Sequence, residues 1–213
     1  MQGWHESIES FIALFVVADP IAVIPIFISL TINHTKHEKR RIANIAALTV
    51  VIVLTVSIFV GESLLGFFGI GIPAFRVAGG ILILLMAIAM LQARTSRAAQ
   101  TPQENVDAAA KEDIAVVPIG IPLVAGPGAI STIIIYGQLA ATWLQTGILI
   151  FEAVLVAASL WASLRLAHPI GSVLGQTGIN IVTRLLGLIL TAVAVEFIAA
   201  GLGQILPGLA GKG

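Results

Sequence analysis

Long apolar runs separated by short polar stretches dominate the pattern along this chain. A helix that crosses a bilayer needs about 20 mostly apolar residues. The pattern predicts six such helices, at residues 6–31, 41–61, 74–92, 114–137, 143–165 and 183–204. The polar stretch after the third helix divides the chain into a first unit (1–93), a cytoplasmic linker (94–113) and a second unit (114–213). We therefore expect an all-α integral membrane protein that forms one membrane domain.

The first and fourth predicted helices are interrupted by nearly the same heptapeptide. Residues 17–23 read VADPIAV and residues 124–130 read VAGPGAI, at an offset of 107 residues. Proline lacks an N–H group and clashes with the preceding turn, so each helix should break there. Broken backbone at membrane depth is tolerated only inside protein or beside a water-filled cavity. Paired breaks in two halves of a chain are the best indication of a transporter's binding site.

Two further matches extend this internal repeat. Residues 63–70 resemble residues 172–179 at an offset of 109, and residues 76–82 resemble residues 184–190 at an offset of 108. Each unit would hold three helices, an odd number, so the second unit should enter the membrane from the opposite side. We therefore predict two inverted three-helix repeats. The alternative is a chance similarity between helices rich in glycine and leucine.

Composition and charge support a membrane location and favour one orientation. The chain is 58% hydrophobic and 10% charged, whereas soluble domains are about 25% charged. Its formal net charge of zero gives no support for nucleic-acid binding. With the N-terminus outside, the cytoplasmic loops hold nine basic residues, and the other side holds only Arg76 and Lys212. The nine are Lys36, Lys39, Arg40, Arg41, Arg94, Arg97, Lys111, Arg165 and Arg184. The positive-inside rule thus predicts that both termini lie outside.

Three motifs together resemble the MarC/SnatA family. They are residues 19–27 (DPIAVIPIF), residues 75–81 (FRVAGGI) and residues 121–131 (IPLVAGPGAIS). The resemblance covers essentially the whole chain. It implies a six-helix protein of the prokaryotic inner membrane. Some members of that family are described as transporters of neutral amino acids, notably glycine and alanine, so the resemblance implies such a substrate here.

The two breaks form the predicted substrate site. A helix that begins near Pro20 or Pro127 directs unpaired N–H groups and the positive end of its dipole into the break. Such donors favour a carboxylate. We place the substrate carboxylate at the second break and its ammonium group beside Asp19. The predicted substrate-binding residues are Asp19, Pro20, Ile21, Ala22, Gly126, Pro127, Gly128, Ala129, Ser131 and Thr132. The alternative is that the prolines produce simple kinks that pack dry.

Asp19 lies near the middle of the first predicted helix. A carboxylate at membrane depth is costly, so it indicates a function or a buried pair. Protonation would remove its charge, which makes Asp19 a candidate for proton coupling. The alternative is helix capping, because Asp before Pro is a common helix start. Glu152 and Glu196 also fall well inside their predicted helices and are further candidates for proton coupling.

These observations predict a secondary active transporter of small neutral amino acids, coupled to protons, which works by alternating access around a site at the membrane midplane. A passive channel or an exporter of small polar metabolites is the alternative. An intramembrane enzyme is disfavoured, because the chain has no zinc-protease motif, no nucleophile elbow and no cysteine. We expect no catalytic residue, metal or cofactor. The expected partners are the substrate and the lipid bilayer, and a homo-oligomer is compatible with the sequence.

Overall fold

The computed structural model describes residues 2–32, 34–92, 120 and 124–206. Every regular element among these residues is helical. The helices are α1 (Gln2–Ala18), α2 (Val23–Leu30), α3 (Lys36–Phe67), α4 (Ile72–Leu91), α5 (Pro127–Leu139), α6 (Trp143–Arg165) and α7 (Ala167–Ile205). Residues 93–119 and 121–123 lie outside the described part, and with them the predicted linker and the start of the fourth predicted helix.

Five stretches of the described chain are long and apolar enough to cross a membrane. They are Ser7–Leu30, Lys36–Phe67, Ile72–Leu91, Trp143–Arg165 and Ala167–Ile205. The first of them contains the break between α1 and α2, as the proline pattern predicts. The described part of the fourth predicted helix is α5, which has 13 residues. The sequence thus predicts correctly that the protein is helical and integral to the membrane, and the sixth span stays a prediction.

Two helices extend well beyond their predicted bounds. Helix α3 begins at Lys36 rather than at residue 41, because Thr35 and Glu38 form a capping box that starts the helix in a polar stretch. The range of α7 begins at Ala167 rather than at residue 183, but it consists of two helical segments that meet at a kink at Gly175, where the backbone is not helical (φ 60°, ψ 178°). Hydropathy locates the part of a helix that lies in the hydrocarbon core. It does not detect the polar turns that continue the same helix outside it.

The helices run between two ends of the bundle. We call the end that carries the start of α1 and the turn between α3 and α4 the N-terminal face. The opposite face carries the turns between α2 and α3 and between α6 and α7. Near the opposite face, the Trp161 indole N–H donates to Asn44 Oδ1 at 2.7 Å. Near the N-terminal face, a Cβ placed on Gly137 would lie 3.6 Å from Ile58 Cγ2.

Helices α4 and α7 pack with their backbones in contact. A Cβ placed on Gly80 would lie 2.9 Å from the Ala194 carbonyl oxygen, and one on Gly201 would lie 2.8 Å from the Pro73 carbonyl oxygen. Such distances are shorter than side chains tolerate against backbone, so only glycine fits at these positions. Small residues at helix interfaces allow this close approach in membrane proteins. The pair α4 and α7 is therefore the most tightly joined part of the bundle.

We expect Gly201→Ala to destabilise the purified protein by about 1–3 kcal/mol, because the added methyl group overpacks a backbone contact. The matched control is Gly203→Ala in the same helix, where a Cβ meets nothing within 4 Å. The control should leave stability unchanged or raise it slightly, since alanine favours helix. Thermal unfolding in detergent measures both variants. Equal melting temperatures for the two variants would contradict the glycine-dependent packing of α4 against α7.

Candidate functional site

The first break is built by a left-handed residue followed by a proline. Helix α1 ends at Ala18, and the Asp19 N–H still donates to the Phe15 carbonyl at 3.0 Å. Asp19 then adopts a φ of +36°, a left-handed conformation that Asp and Asn tolerate better than most residues. Pro20 follows without an N–H group and cannot continue the helical hydrogen bonds. The chain makes a turn here before it becomes helical again.

Helix α2 begins later than the sequence predicts, at Val23 instead of near Pro20, and its N-cap residue is Ala22. Asp19 is therefore not the N-cap of this helix. Its Oδ1 accepts a hydrogen bond from the Ala22 N–H at 3.2 Å, which closes the turn. Helix α2 starts late in the sequence because the left-handed backbone at Asp19 changes the direction of the chain. The residues up to Ala22 form the turn that returns the chain to a helical path.

The second oxygen of Asp19 is buried without a partner. The residue is only 7% exposed, and Oδ2 accepts no hydrogen bond from any residue in the described part of the chain. Burial of a polar atom without a hydrogen bond is costly, and buried polar groups are nearly always paired in native structures. An unpaired carboxylate oxygen at a helix break therefore indicates a position where a bound group can supply the missing hydrogen bond.

The second break begins the helix where the sequence predicts. Gly126 is the N-cap, with φ −80° and ψ 179°, and Pro127 is the first residue of α5. Before it, the Ala125 N–H donates to the Gly120 carbonyl at 2.9 Å. Proline suits the first helical position because its missing N–H would be unpaired there anyway. The side chain of Pro127 is exposed, whereas Gly126 and Gly128 are buried.

The structure brings the two breaks together. A Cβ placed on Gly128 would lie 3.1 Å from Val17 Cγ1 and 2.6 Å from Met86 Sδ. Val17 belongs to the last turn of α1, next to the break that contains Asp19, and Met86 belongs to α4. The first turn of α5, with its unpaired N–H groups, thus packs beside the end of α1. Met86 lines the same place, and nothing in the sequence singles out this apolar side chain.

The other predicted substrate-binding residues occupy two different environments. Ile21 and Ala22 are half-buried in the first break, and Ala129 is fully buried. Thr132 is buried, and its hydroxyl donates to the Gly128 carbonyl at 2.8 Å, so its proton is used within α5. Ser131 is buried against α4, where its Cβ would lie 3.1 Å from a Cβ on Gly79.

The remaining acidic candidates lie away from the breaks. Glu152 is 4% exposed, and its two carboxylate oxygens accept from the Ser10 hydroxyl at 3.0 and 2.8 Å. Ser10 precedes Asp19 by about 13 Å along α1, at about 1.5 Å per residue. Glu196 lies on α7 and is exposed. The structure therefore joins Glu152 to α1 but places neither glutamate beside Asp19.

Sequence reasoning missed a cluster around Arg76, whose position near a helix end indicates an interfacial anchor. The Arg76 guanidinium carbon lies 5.6 Å from the centre of the Phe197 ring. The Tyr136 ring also meets the Phe197 ring edge to face, at 5.7 Å between centroids. The partners come from α4, α5 and α7. Only the tertiary fold brings them together, so no local pattern could have shown the cluster.

The described helices, with the break between α1 and α2 packed beside the start of α5, define an α-helical integral membrane protein. Comparison with known proteins identifies the family. The model of the MarC family integral membrane proteins matches residues 4–206, and the chain belongs to this family. This confirms the resemblance recognised from the three motifs.

Relatives occur in bacteria and archaea. The chain is 40% identical to the UPF0056 membrane protein YhcE of Escherichia coli (strain K12), over 93% of each chain. It is 38% identical to the UPF0056 membrane protein YvbG of Bacillus subtilis (strain 168), over 95% of this chain and 96% of the relative. It is 35% identical to the UPF0056 membrane protein PH0760 of Pyrococcus horikoshii, over 92% and 96%. No solved structure matches this chain.

Proposed function

We propose that this protein is a secondary active transporter of small neutral amino acids such as glycine and alanine. The observation that carries the proposal is the meeting of the two breaks. One break supplies the first turn of α5, and the other supplies Asp19, whose Oδ2 is buried without a partner. A passive channel does not need two such unlike groups at one place, because it conducts through like polar groups along a pore.

The two breaks suit the two ends of a zwitterion. The unpaired N–H groups and the dipole of α5 favour a carboxylate, and the Asp19 carboxylate favours an ammonium group. The surroundings favour a substrate with a small side chain. A methyl group on Gly128 would already collide with Met86 and approach Val17 closely. Glycine and alanine are the amino acids that need the least additional space.

The packing of the short helices supports the inverted repeat, which is part of this proposal. Helix α2 follows the first break and packs against α6 and α7 of the second unit. Helix α5 follows the second break and packs against α3 and α4 of the first unit. These pairings are equivalent if the units 1–93 and 114–213 are related by a two-fold axis in the membrane plane. Such an arrangement allows the site to open alternately to the two sides.

Proton coupling is the second part of the proposal, and Asp19 is its centre. A buried carboxylate without a cation among its described neighbours is costly at membrane depth. Binding of a proton or of a substrate ammonium group removes that cost, so the two events are linked through one side chain. Glu152, which accepts from the Ser10 hydroxyl inside the bundle, is a second candidate, and Glu196 on α7 is a third.

Transport into proteoliposomes tests the function. Labelled glycine and alanine are offered under a pH gradient, under a sodium gradient and without a gradient. We expect saturable uptake, accumulation driven by the pH gradient, and counterflow when unlabelled substrate is loaded inside. Flux without saturation or counterflow would indicate a channel. Failure of both amino acids to enter under every gradient would contradict the proposed substrate class.

The proposed localisation is the prokaryotic inner membrane with both termini outside. Thr35 lies at the opposite face and Gln138 at the N-terminal face of the bundle. Because the chain contains no cysteine, Thr35→Cys and Gln138→Cys each introduce a single label site. We expect an impermeant thiol reagent to label Gln138→Cys from outside the cell and Thr35→Cys only from inside. Labelling of both variants from one side would contradict the orientation.

A further inference from the structure

The cluster of Arg76, Tyr136 and Phe197 lies between the two breaks and the N-terminal face. Tyr136 is on α5, about 12 Å beyond Gly128 at about 1.5 Å per residue. Phe197 is 2% exposed and contacts both of the other side chains. A route from the breaks along α5 to the N-terminal face therefore passes this cluster.

The chemistry of this cluster differs from that of an ordinary apolar core. Arg76 packs its cation against the Phe197 ring, while its Nε atom is buried without a hydrogen-bond partner among the described residues. Opening this contact exposes the Phe197 ring, but hydration of the guanidinium and phenol groups offsets part of that cost. Such a contact suits a reversible closure.

The equivalent positions near the opposite face carry no such cluster. Under the proposed repeat, Tyr136 corresponds to Ser29, Phe197 to Ala89 and Arg76 to Arg184. Ser29 and Arg184 are exposed, and Ala89 is half-buried. Two small side chains replace two large aromatic rings, so these described positions supply no comparable aromatic contact. At the breaks themselves, Pro127 is exposed and Ile21 and Ala22 are half-buried.

We propose that Arg76, Tyr136 and Phe197 form a gate that closes the site towards the N-terminal face, and that this structure is the state open towards the opposite face. The inference rests on the proposed transport function. Arg76 and Phe197 belong to the tightly joined pair α4 and α7, whereas Tyr136 belongs to α5. The contact that must break on opening is therefore the one between Tyr136 and Phe197, and Arg76 positions the Phe197 ring for it.

Labelling of a cysteine in the first break tests the gate without measuring transport. The single-cysteine variant Ile21→Cys is reconstituted and exposed to an impermeant thiol reagent from each side. The variants Gln138→Cys and Thr35→Cys identify the N-terminal and the opposite face. We expect Ile21→Cys to react from the opposite face and to be protected from the N-terminal face. Addition of Phe197→Ala should raise the labelling rate from the N-terminal face by about tenfold, since the aromatic contact with Tyr136 that favours the closed state is lost.

Two further variants separate the gate from general damage. Arg76→Gln should also raise labelling from the N-terminal face. It takes the place of Phe197→Ala as the test variant if Phe197→Ala fails to fold. Phe151→Ala is the matched control, because Phe151 is 60% exposed on α6, a helix that contributes no residue to the cluster. It should leave the sidedness of labelling unchanged. Equal labelling from both faces in the parent, or unchanged sidedness in both gate variants, would overturn the gate.

The two proposals fail in different ways. If the reconstituted parent takes up neither glycine nor alanine while the gate variants still change the sidedness of labelling, the gate stands and the substrate proposal fails. If uptake is normal while Phe197→Ala and Arg76→Gln leave the labelling as it is in the parent, the gate fails and the transport function stands.

Discussion

Replacing Asp19 with asparagine should abolish the accumulation of glycine while the protein remains folded. Asparagine retains the oxygen that accepts the Ala22 N–H, and it tolerates the left-handed φ of this position about as well as aspartate. It loses the negative charge that the substrate ammonium group and the coupling proton need. Hydrogen bonds to charged groups are worth about 1.5–3 kcal/mol, so substrate affinity should fall about tenfold to a hundredfold. Binding and pH-driven uptake by the purified variant measure the two effects.

Two further variants separate the role of the Asp19 charge from the role of its side chain in closing the turn. Glu62→Gln removes an exposed carboxylate on α3 and is the control that should transport like the parent. Asp19→Glu keeps the charge but replaces the side chain that closes the turn to Ala22. A purely structural role predicts that the glutamate variant is the more damaged of the two Asp19 variants. If the asparagine variant accumulates glycine like the parent across the pH range, Asp19 only shapes the break.

Replacing Gly128 with alanine should remove most glycine binding. The methyl group would stand over the N–H groups of the first turn of α5 and would contact Met86 and Val17. Because it displaces the substrate carboxylate from charge-favouring donors, we expect affinity to fall by at least about tenfold. The control is Gly137→Ala in the same helix, where a Cβ makes only ordinary contacts, the nearest at 3.6 Å. Equilibrium binding of labelled glycine to the purified variants gives the comparison.

A second substitution distinguishes lost packing from a blocked site. Met86 is a flexible side chain, and Met86→Ala provides the space that the methyl group at position 128 requires. The double variant should therefore recover thermal stability relative to Gly128→Ala. It should not recover glycine binding, because the methyl group still covers the backbone donors. If binding recovers together with stability, the substrate carboxylate does not bind at the first turn of α5.

The sequence predicts the features that depend on local chemistry. Proline cannot continue the hydrogen bonds in the interior of a helix, so Pro20 and Pro127, each in the middle of a long apolar run, mark the two predicted breaks without knowledge of the fold. Gly126 and Pro127 also make the start of α5 predictable. Glycine is a common N-cap residue, and proline is common at the first helical position. The start of α2 is not predictable in the same way. It depends on the left-handed backbone of Asp19, which the residue type permits but does not require.

Features that depend on tertiary contacts do not follow from the pattern. Arg76 lies near the start of α4, where hydropathy indicates an anchor, yet the fold places its guanidinium group over an aromatic ring from α7. Met86 is one apolar residue among many, and only the packing of α4 against α5 brings it to the site. The sequence places Glu152 well inside its helix, but it cannot show the hydroxyl partner Ser10, which stands 142 positions away in the chain.

The backbone contact between α4 and α7 has a mechanical consequence. Where Gly80 and Gly201 touch carbonyl groups of the neighbouring helix, no layer of side chains remains that could deform when one helix slides along the other. Helices α4 and α7, one from each predicted unit, therefore move together as one rigid body. The first membrane span has a turn instead of continuous hydrogen bonds between α1 and α2, so it can bend at Asp19. Under the proposed transport function, such bending lets α2 move while α4 and α7 keep their positions, and the turn itself acts as the hinge.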